Sequence, residues 1–257
     1  MLILDEIMAY YPPKLHNFPK WILREYLQYL ILQNIFSQKV ANKLCFIWWT
    51  SLRIWYSSQR FSEDLDFDNR WLTISEFEDM TRNVEKMLKL EWYEVNIKHI
   101  YKWAFHCTIK IPQLLYDNNL AEMATENLTI KIDTTPQWFL YDKKQKLVQN
   151  FWLVFPINVA DEQTLLSMKL SAFFSRIKGR DLFDIVYLLW KTQSPNRDIL
   201  REKYNIENSK QLKQKILEKN QTLDFEQLQK DVQPFLFDPQ NQSVKYFPQI
   251  IEQTEFV

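Results

Sequence analysis

The stretch FIWWTSLRIWYSSQRFSEDLDFDN, residues 46–69, decides the fold. It opens on a short apolar run that is typical of a buried strand. A short helical segment is predicted over residues 50–56, and the alternation within residues 62–68 predicts a second strand. On that strand Asp64 and Asp66 face the same way, while the apolar residues beside them face the other way.

These two carboxylates indicate a cation site. Their mutual repulsion is unfavourable unless a positive charge lies between them, and Mg²⁺ is bound by one or two carboxylates together with substrate phosphates. Asp133 adds a third carboxylate on the polar face of a later predicted strand, residues 127–135. If the strands are neighbours, the three can hold two metal ions for in-line displacement at phosphorus. The alternative is a solvated strand edge, because Asp-x-Asp pairs are common.

The composition excludes several classes of protein. The chain has 257 residues, with 32 Lys and Arg against 32 Asp and Glu, and this zero net charge argues against a non-specific DNA binder. Two cysteines and three histidines argue against a disulfide scaffold and a structural zinc site. No signal-peptide pattern or long apolar run occurs, so we expect a cytoplasmic protein without a membrane span.

The sequence patterns change character near residue 160. Before that point, helical periods at 18–44 and 74–90 alternate with extended stretches that are rich in β-branched and aromatic residues. After it, the apolar periods are helical. The sequence therefore predicts an α/β (α+β) protein with a mixed-sheet domain over residues 1–160 and a helical domain over residues 161–257.

Three ordered blocks resemble the signature of the AbiEii family of nucleotidyltransferase toxins. The first is Thr-Ser-Leu-Arg at residues 50–53, and the second is Arg-Phe-Ser-x-Asp-x-Asp-Phe at residues 60–67. The third, MKLSAFFSRIKGRDLFDIVYLL at residues 168–189, joins a lysine-containing helix to an Arg-Asp-x-x-Asp helix start. The residues that carry the matches are Thr50, Ser51, Leu52, Arg53, Arg60, Phe61, Ser62, Asp64, Asp66, Phe67, Lys169, Arg176, Arg180, Asp181 and Asp184.

The resemblance implies a nucleotidyltransferase fold and the toxin of a toxin–antitoxin system for abortive infection, a form of phage defence. Such enzymes transfer a nucleotide from an NTP to an acceptor with Mg²⁺. The expected acceptor is tRNA or another RNA, with a protein or a small molecule as the alternative. The expected partner is a cognate antitoxin that acts by regulation.

The resemblance also assigns roles to residues. Asp64, Asp66 and Asp133 bind metal, Asp133 is in addition a candidate base, and Lys169 stabilises charge on the triphosphate as the fourth catalytic residue. The nucleotide-binding residues that it implies are Trp48, Trp49, Thr50, Arg53, Arg60, Ser62, Arg180 and Asp181. For Lys169 the alternative is a solvent-facing helix lysine. For Arg180 and Asp181 the alternative is helix-start chemistry, in which an acid in the first turn interacts favourably with the helix dipole.

The chain departs from the family at Trp48 and Trp49, where the family has Gly-Gly. Paired glycines let backbone N–H groups at a helix start approach phosphate closely, whereas two indoles fill that space. As written, the chain is therefore expected to bind NTP poorly. The alternative function is a catalytically decayed nucleotidyltransferase-fold protein that acts as a binding or interaction module.

Glycine is almost absent from the chain. It occurs once, at Gly179, and tryptophan occurs ten times, whereas average usage of about 7% would give roughly 18 glycines. Some bacterial genetic codes read UGA as glycine, and another reads it as tryptophan. A gene of the first kind translated with the second code would convert glycines into tryptophans. The positions that this hypothesis singles out are Trp48, Trp49, Trp71, Trp92 and Trp103.

Overall fold

A seven-stranded mixed sheet organises the computed structural model, which describes residues 2–257. The strands are β1 (Leu44–Phe46), β2 (Leu65–Asn69), β3 (Asn96–Tyr101), β4 (Phe105–Ile111), β5 (Leu128–Thr135), β6 (Lys143–Asn150) and β7 (Leu153–Ala160). Their order in the sheet is β3-β4-β5-β2-β1-β7-β6. Strand β1 is parallel to β7 and β2 is parallel to β5, whereas β1–β2, β3–β4 and β4–β5 are antiparallel. The predicted mixed α/β class is confirmed.

Eleven α-helices complete the described part of the chain. They are α1 (Leu4–Met8), α2 (Pro19–Ser37), α3 (Trp48–Ile54), α4 (Ile74–Leu90), α5 (Leu114–Asp117), α6 (Glu162–Ser175), α7 (Gly179–Leu189), α8 (Arg197–Tyr204), α9 (Ser209–Asn220), α10 (Phe225–Val232) and α11 (Phe247–Gln253). The helix predicted over residues 18–44 ends at Ser37, because residues 39–43 tighten into a 3₁₀ turn before β1.

The chain forms two compact units. The first contains the chain up to Trp55, Phe61–Trp138 and Lys143–Val159, and therefore holds the sheet. The second contains Tyr56–Arg60, Phe139–Asp142 and Ala160–Val257, and holds α6 to α11. The first unit ends beside the expected boundary at residue 160, and two short segments from before that boundary group with the second unit.

Strand β5 has one buried and one accessible face. Its residues alternate between buried and accessible along the whole strand, with Ile130 and Ile132 buried and Lys131 and Asp133 on the opposite face. This confirms the alternation predicted for residues 127–135. Since the apolar face is removed from water, the register of β5 is fixed, and the same register fixes which way Asp133 points.

Strand β6 was not predicted from the sequence. Its residues, KKQKLVQN, carry three lysines and lack an apolar alternation. The strand is at the edge of the sheet, where charged side chains protect against pairing with other chains. Only Val148 of this strand is buried, so the sequence carries no apolar alternation that would predict the strand.

Gly179 is the first residue of α7, and the preceding helix α6 ends at Ser175. A Cβ atom at position 179 would lie 1.8 Å from the main-chain oxygen of Leu228. The amide of Gly179 also donates to Asp231 Oδ2 at 2.8 Å. The one glycine of the chain therefore serves the close approach of α7 to α10, and its φ is not positive.

Candidate active site

Two aspartates lie side by side in the centre of the sheet. Asp66 on β2 pairs in register with Asp133 on the parallel strand β5, and paired residues of neighbouring strands project from the same face. Asp64 is the residue before β2, and its carboxylate interacts electrostatically with that of Asp133. The backbone thus places the three predicted aspartates on neighbouring segments of the chain, and we call these three residues the acidic row.

The environment of Asp64 disfavours its ionised form. Burial raises the pKa of Asp64 above its ordinary value, Lys131 opposes this, and the nearby charge of Asp133 raises it further. Lys131 Nζ is 3.9 Å from Asp64 Oδ2, and its side chain is half exposed. Burial and the neighbouring carboxylates thus outweigh the cations Lys131 and Arg24, and a further cation beside the acidic row would favour the ionised form.

His106 extends the acidic row onto a third strand. It lies opposite Asp133 on β4, and its Nδ1 is 2.8 Å from Asp133 Oδ1. His99 on β3 instead places Nε2 2.7 Å from Thr81 Oγ1, so the two histidines have different partners. The place of His106 beside Asp133 depends on the strand register, so the spacing of residues in the sequence did not predict it.

The start of α3 meets the segment that precedes β2. Thr50 Oγ1 lies 2.7 Å from Ser62 Oγ and also donates to the main-chain oxygen of Asp64. Both hydroxyl residues are buried. Trp48 and Trp49, the first two residues of α3, stack with ring centroids 6.3 Å apart. The first two sequence blocks therefore meet next to the acidic row.

Helix α2 holds both of these segments. Gln28 Nε2 donates to the main-chain oxygens of Ser62 and Glu63, each at 3.1 Å. Arg53 on α3 forms two hydrogen bonds of 2.8 Å with the carboxylate of Glu25. Such a bidentate pair fixes the orientation of both partners. Arg53 thus anchors α3 to α2, and its contact with nucleotide stays a prediction.

The remaining site candidates lie in the second unit, around one buried carboxylate. Asp184 accepts hydrogen bonds of 2.8 Å from Arg60 Nε and Nη2. Lys169 Nζ lies 2.8 Å from Asp184 Oδ2 and 3.6 Å from Asp181 Oδ1. All four residues are buried, and we call them the ion cluster. Lys169 is therefore not a solvent-facing lysine here, and its contact with triphosphate stays a prediction.

The ion cluster balances burial against charge. Burial alone raises the pKa of Asp184, but Arg60 and Lys169 hold it below its ordinary value. Burial lowers the pKa of Lys169 and raises that of Asp181. Arg180 lies outside this group, with its guanidinium carbon 4.4 Å from the ring centroid of Phe235.

Two negative findings concern the described chain. Within residues 2–257, no three side chains of His, Cys, Asp or Glu are grouped as the ligands of a metal ion. None of the helices in this range combines the length and the apolar character that a membrane crossing requires.

Replacing Asp184 with asparagine is expected to destabilise the protein strongly. The substitution leaves Arg60 and Lys169 buried with less negative charge, and breaking a buried ion pair costs about 3–5 kcal/mol. Urea unfolding of the Asp184→Asn variant measures the loss. The matched control is Asp198→Asn, whose exposed pair with Arg201 should contribute little. Equal midpoints for the two variants would contradict the role of the ion cluster.

Replacing Asp64 with asparagine is expected to stabilise the protein at pH 7. Because folding raises the pKa of Asp64, its ionisation lowers the free energy of unfolding as the pH rises. The gain should disappear as the pH falls below about 4, the ordinary range for aspartate. Urea midpoints of Asp64→Asn across this pH range test it, with exposed Asp117→Asn as control. A urea midpoint at pH 7 that is lower for Asp64→Asn than for the unsubstituted protein would contradict a raised pKa of Asp64.

Comparisons with known proteins identify the family. The family described as nucleotidyl transferase AbiEii toxin, type IV TA system, matches residues 50–252. The crystal structure of JHP933 from Helicobacter pylori is similar over 90% of each chain, with a TM-score of 0.57 and 17% identity. The nucleotidyltransferase toxin MenT4 from Mycobacterium tuberculosis H37Rv is similar over 99% of this chain and 91% of its own, with a TM-score of 0.61 and 12% identity. No curated protein matches. The chain belongs to the AbiEii family of nucleotidyltransferase toxins of type IV toxin–antitoxin systems.

Proposed function

We propose that the chain transfers a nucleotide from an NTP to a hydroxyl group of an RNA acceptor, with tRNA as the expected class. The observation that carries this proposal is the register of β2 and β5, which sets Asp66 beside Asp133. Adjacent carboxylates repel each other when both are ionised, and the metal ion that accompanies a triphosphate would relieve this repulsion. The family supplies the reaction class.

The acidic row suits Mg²⁺. Its donors are carboxylate oxygens, which are the hard ligands that Mg²⁺ prefers, and the ion takes its other ligands from water and phosphate. Asp64, Asp66 and Asp133 would hold it, and when bound it would neutralise charge on the reacting phosphates. A site completed by substrate phosphates is consistent with the lack of a full protein ligand set in residues 2–257.

The proposed transfer forms a bond between the acceptor oxygen and the α-phosphorus, and breaks the bond from that phosphorus to the pyrophosphate. The hydroxyl proton passes to Asp133, the candidate base. His106 Nδ1 at 2.8 Å from Asp133 Oδ1 orients that carboxylate. Holding the reacting groups in position supplies much of the rate in such reactions.

The roles of Lys169, Arg180 and Asp181 rest on the family resemblance. The cognate antitoxin, implied by a type IV system, acts in this proposal by regulation rather than as part of the catalytic site. Toxicity to an infected cell then follows from blocking of the RNA acceptor.

Replacing Asp66 with asparagine is expected to abolish transfer. The assay follows label from an α-labelled NTP into tRNA, using protein with glycine at positions 48 and 49. Loss should exceed 100-fold, because the isosteric amide keeps the shape and removes the charge that faces the cation. Asp117→Asn, which changes an exposed carboxylate on α5, should keep full activity. Persistent labelling by Asp66→Asn would remove the metal role. Label in protein or in a small molecule instead would change the acceptor.

Thermal unfolding separates an enzyme from a binding module. A ligand at about 100 times its Kd stabilises the folded state by about 2.7 kcal/mol, so NTP with Mg²⁺ should raise the Tm of the protein with glycine at 48 and 49. The chain with both indoles should respond less, since Trp48 and Trp49 stack at the start of α3. No rise in either protein would favour the decayed binding module.

A further inference from the structure

Four tryptophans occupy a backbone conformation that suits glycine. Among the described residues, Trp48, Trp71, Trp92 and Trp152 have φ of 61°, 65°, 65° and 64°. In this left-handed region a Cβ atom meets the following carbonyl, so bulky residues there are outliers. The other non-glycine residues with positive φ are Ser57, Gln113, Asn119, Phe151 and Asn205. Thus four of ten tryptophans are left-handed, against five residues in the rest of the described chain.

We infer that the functional protein carries glycine at positions 48, 71, 92 and 152, and that the four codons are UGA triplets that its source reads as glycine. For positions 71, 92 and 152 the inference is independent of nucleotide transfer. For position 48 it deepens the proposed function and rests on it, because glycine there removes an indole from the start of α3.

Trp92 occupies the glycine position of a helix stop. Helix α4 ends at Leu90 with Glu91 as C-cap, and Trp92 follows in the left-handed conformation. Its amide donates to the main-chain oxygen of Lys89 at 3.1 Å, and the amide of Tyr93 donates to that of Leu88 at 3.0 Å. These two bonds define the Schellman motif, in which the left-handed residue is usually glycine.

Trp152 occupies the second position of a two-residue hairpin turn. The turn joins β6 to β7 through Phe151 and Trp152, and both residues have positive φ. Such a turn favours glycine at its second position. Phe151 is 3% exposed and packs against Tyr26 and Tyr29, so burial offsets its strain. Trp152 is 85% exposed, so its indole gains little burial in return.

Trp71, between β2 and α4, likewise combines positive φ with an exposed side chain, of which 91% is accessible. The side chain of Trp92 is 89% exposed. Base stacking on RNA would explain exposed indoles, but it would not require positive φ. The structure thus adds position 152 to the positions that composition suggested. Trp49 and Trp103 are not left-handed, so for them the glycine hypothesis stays a prediction.

The codons and the peptide masses test the inference without any activity measurement. We expect the gene to carry UGA codons at all four positions and a UGG codon at Trp21. Peptides of the protein purified from its source should carry glycine at positions 48, 71, 92 and 152. A UGG codon or a tryptophan mass at any one of these positions would overturn the inference. A failed transfer assay would leave this result unchanged, so the two proposals fail separately.

Thermal unfolding of recombinant protein gives an independent readout. Trp71→Gly, Trp92→Gly and Trp152→Gly should each raise the Tm by about 2–4 °C, since each relieves left-handed strain. Two controls should lower it. Trp21→Gly removes an indole of α2 whose ring centroid lies 5.8 Å from that of Phe61. Phe151→Gly removes a buried ring from a residue with positive φ. A lower Tm for the three test variants would contradict the inference.

Discussion

The repulsion between Asp66 and Asp133 is the constraint on which the site depends. The apolar face of β5 and its parallel register with β2 place the two aspartates opposite each other on neighbouring strands. Neither strand can slip by one residue without turning its apolar residues to solvent. The sheet therefore holds together two like charges that repel each other, and the proposed cation would relieve this repulsion. Sites that bind charged ligands commonly store such local destabilisation.

The ion cluster of the second unit follows the opposite logic. Arg60 and Lys169 each form short contacts with the buried carboxylate of Asp184, so the charge of that carboxylate is compensated. Removing one partner is costly, although the complete cluster need not add net stability over an apolar core. Lys169, Asp181 and Asp184 of the third sequence block thus have a structural role here.

Features of the fold that leave a periodic pattern or a fixed spacing of residues could be predicted from the sequence. The mixed α/β class, the alternation of β5 and the family followed from apolar patterns and three ordered blocks. Spacing alone could not reveal His106 beside Asp133 or the pairing of Arg53 with Glu25, because both depend on tertiary register. Edge strand β6 was not predicted because only one of its residues, Val148, is buried. The composition suggested that some tryptophans occupy positions of glycine. Trp152 was recognised as one of them only from its backbone angles in the hairpin turn.

Cation binding by the acidic row is the central claim, and Mn²⁺ is a suitable probe because carboxylates that bind Mg²⁺ also bind it. The direct measurement is an EPR titration of Mn²⁺ with a non-hydrolysable NTP, using protein with glycine at positions 48 and 49. The account predicts bound Mn²⁺ that is lost in both Asp66→Asn and Asp133→Asn. Unchanged Mn²⁺ binding in these two variants would contradict it.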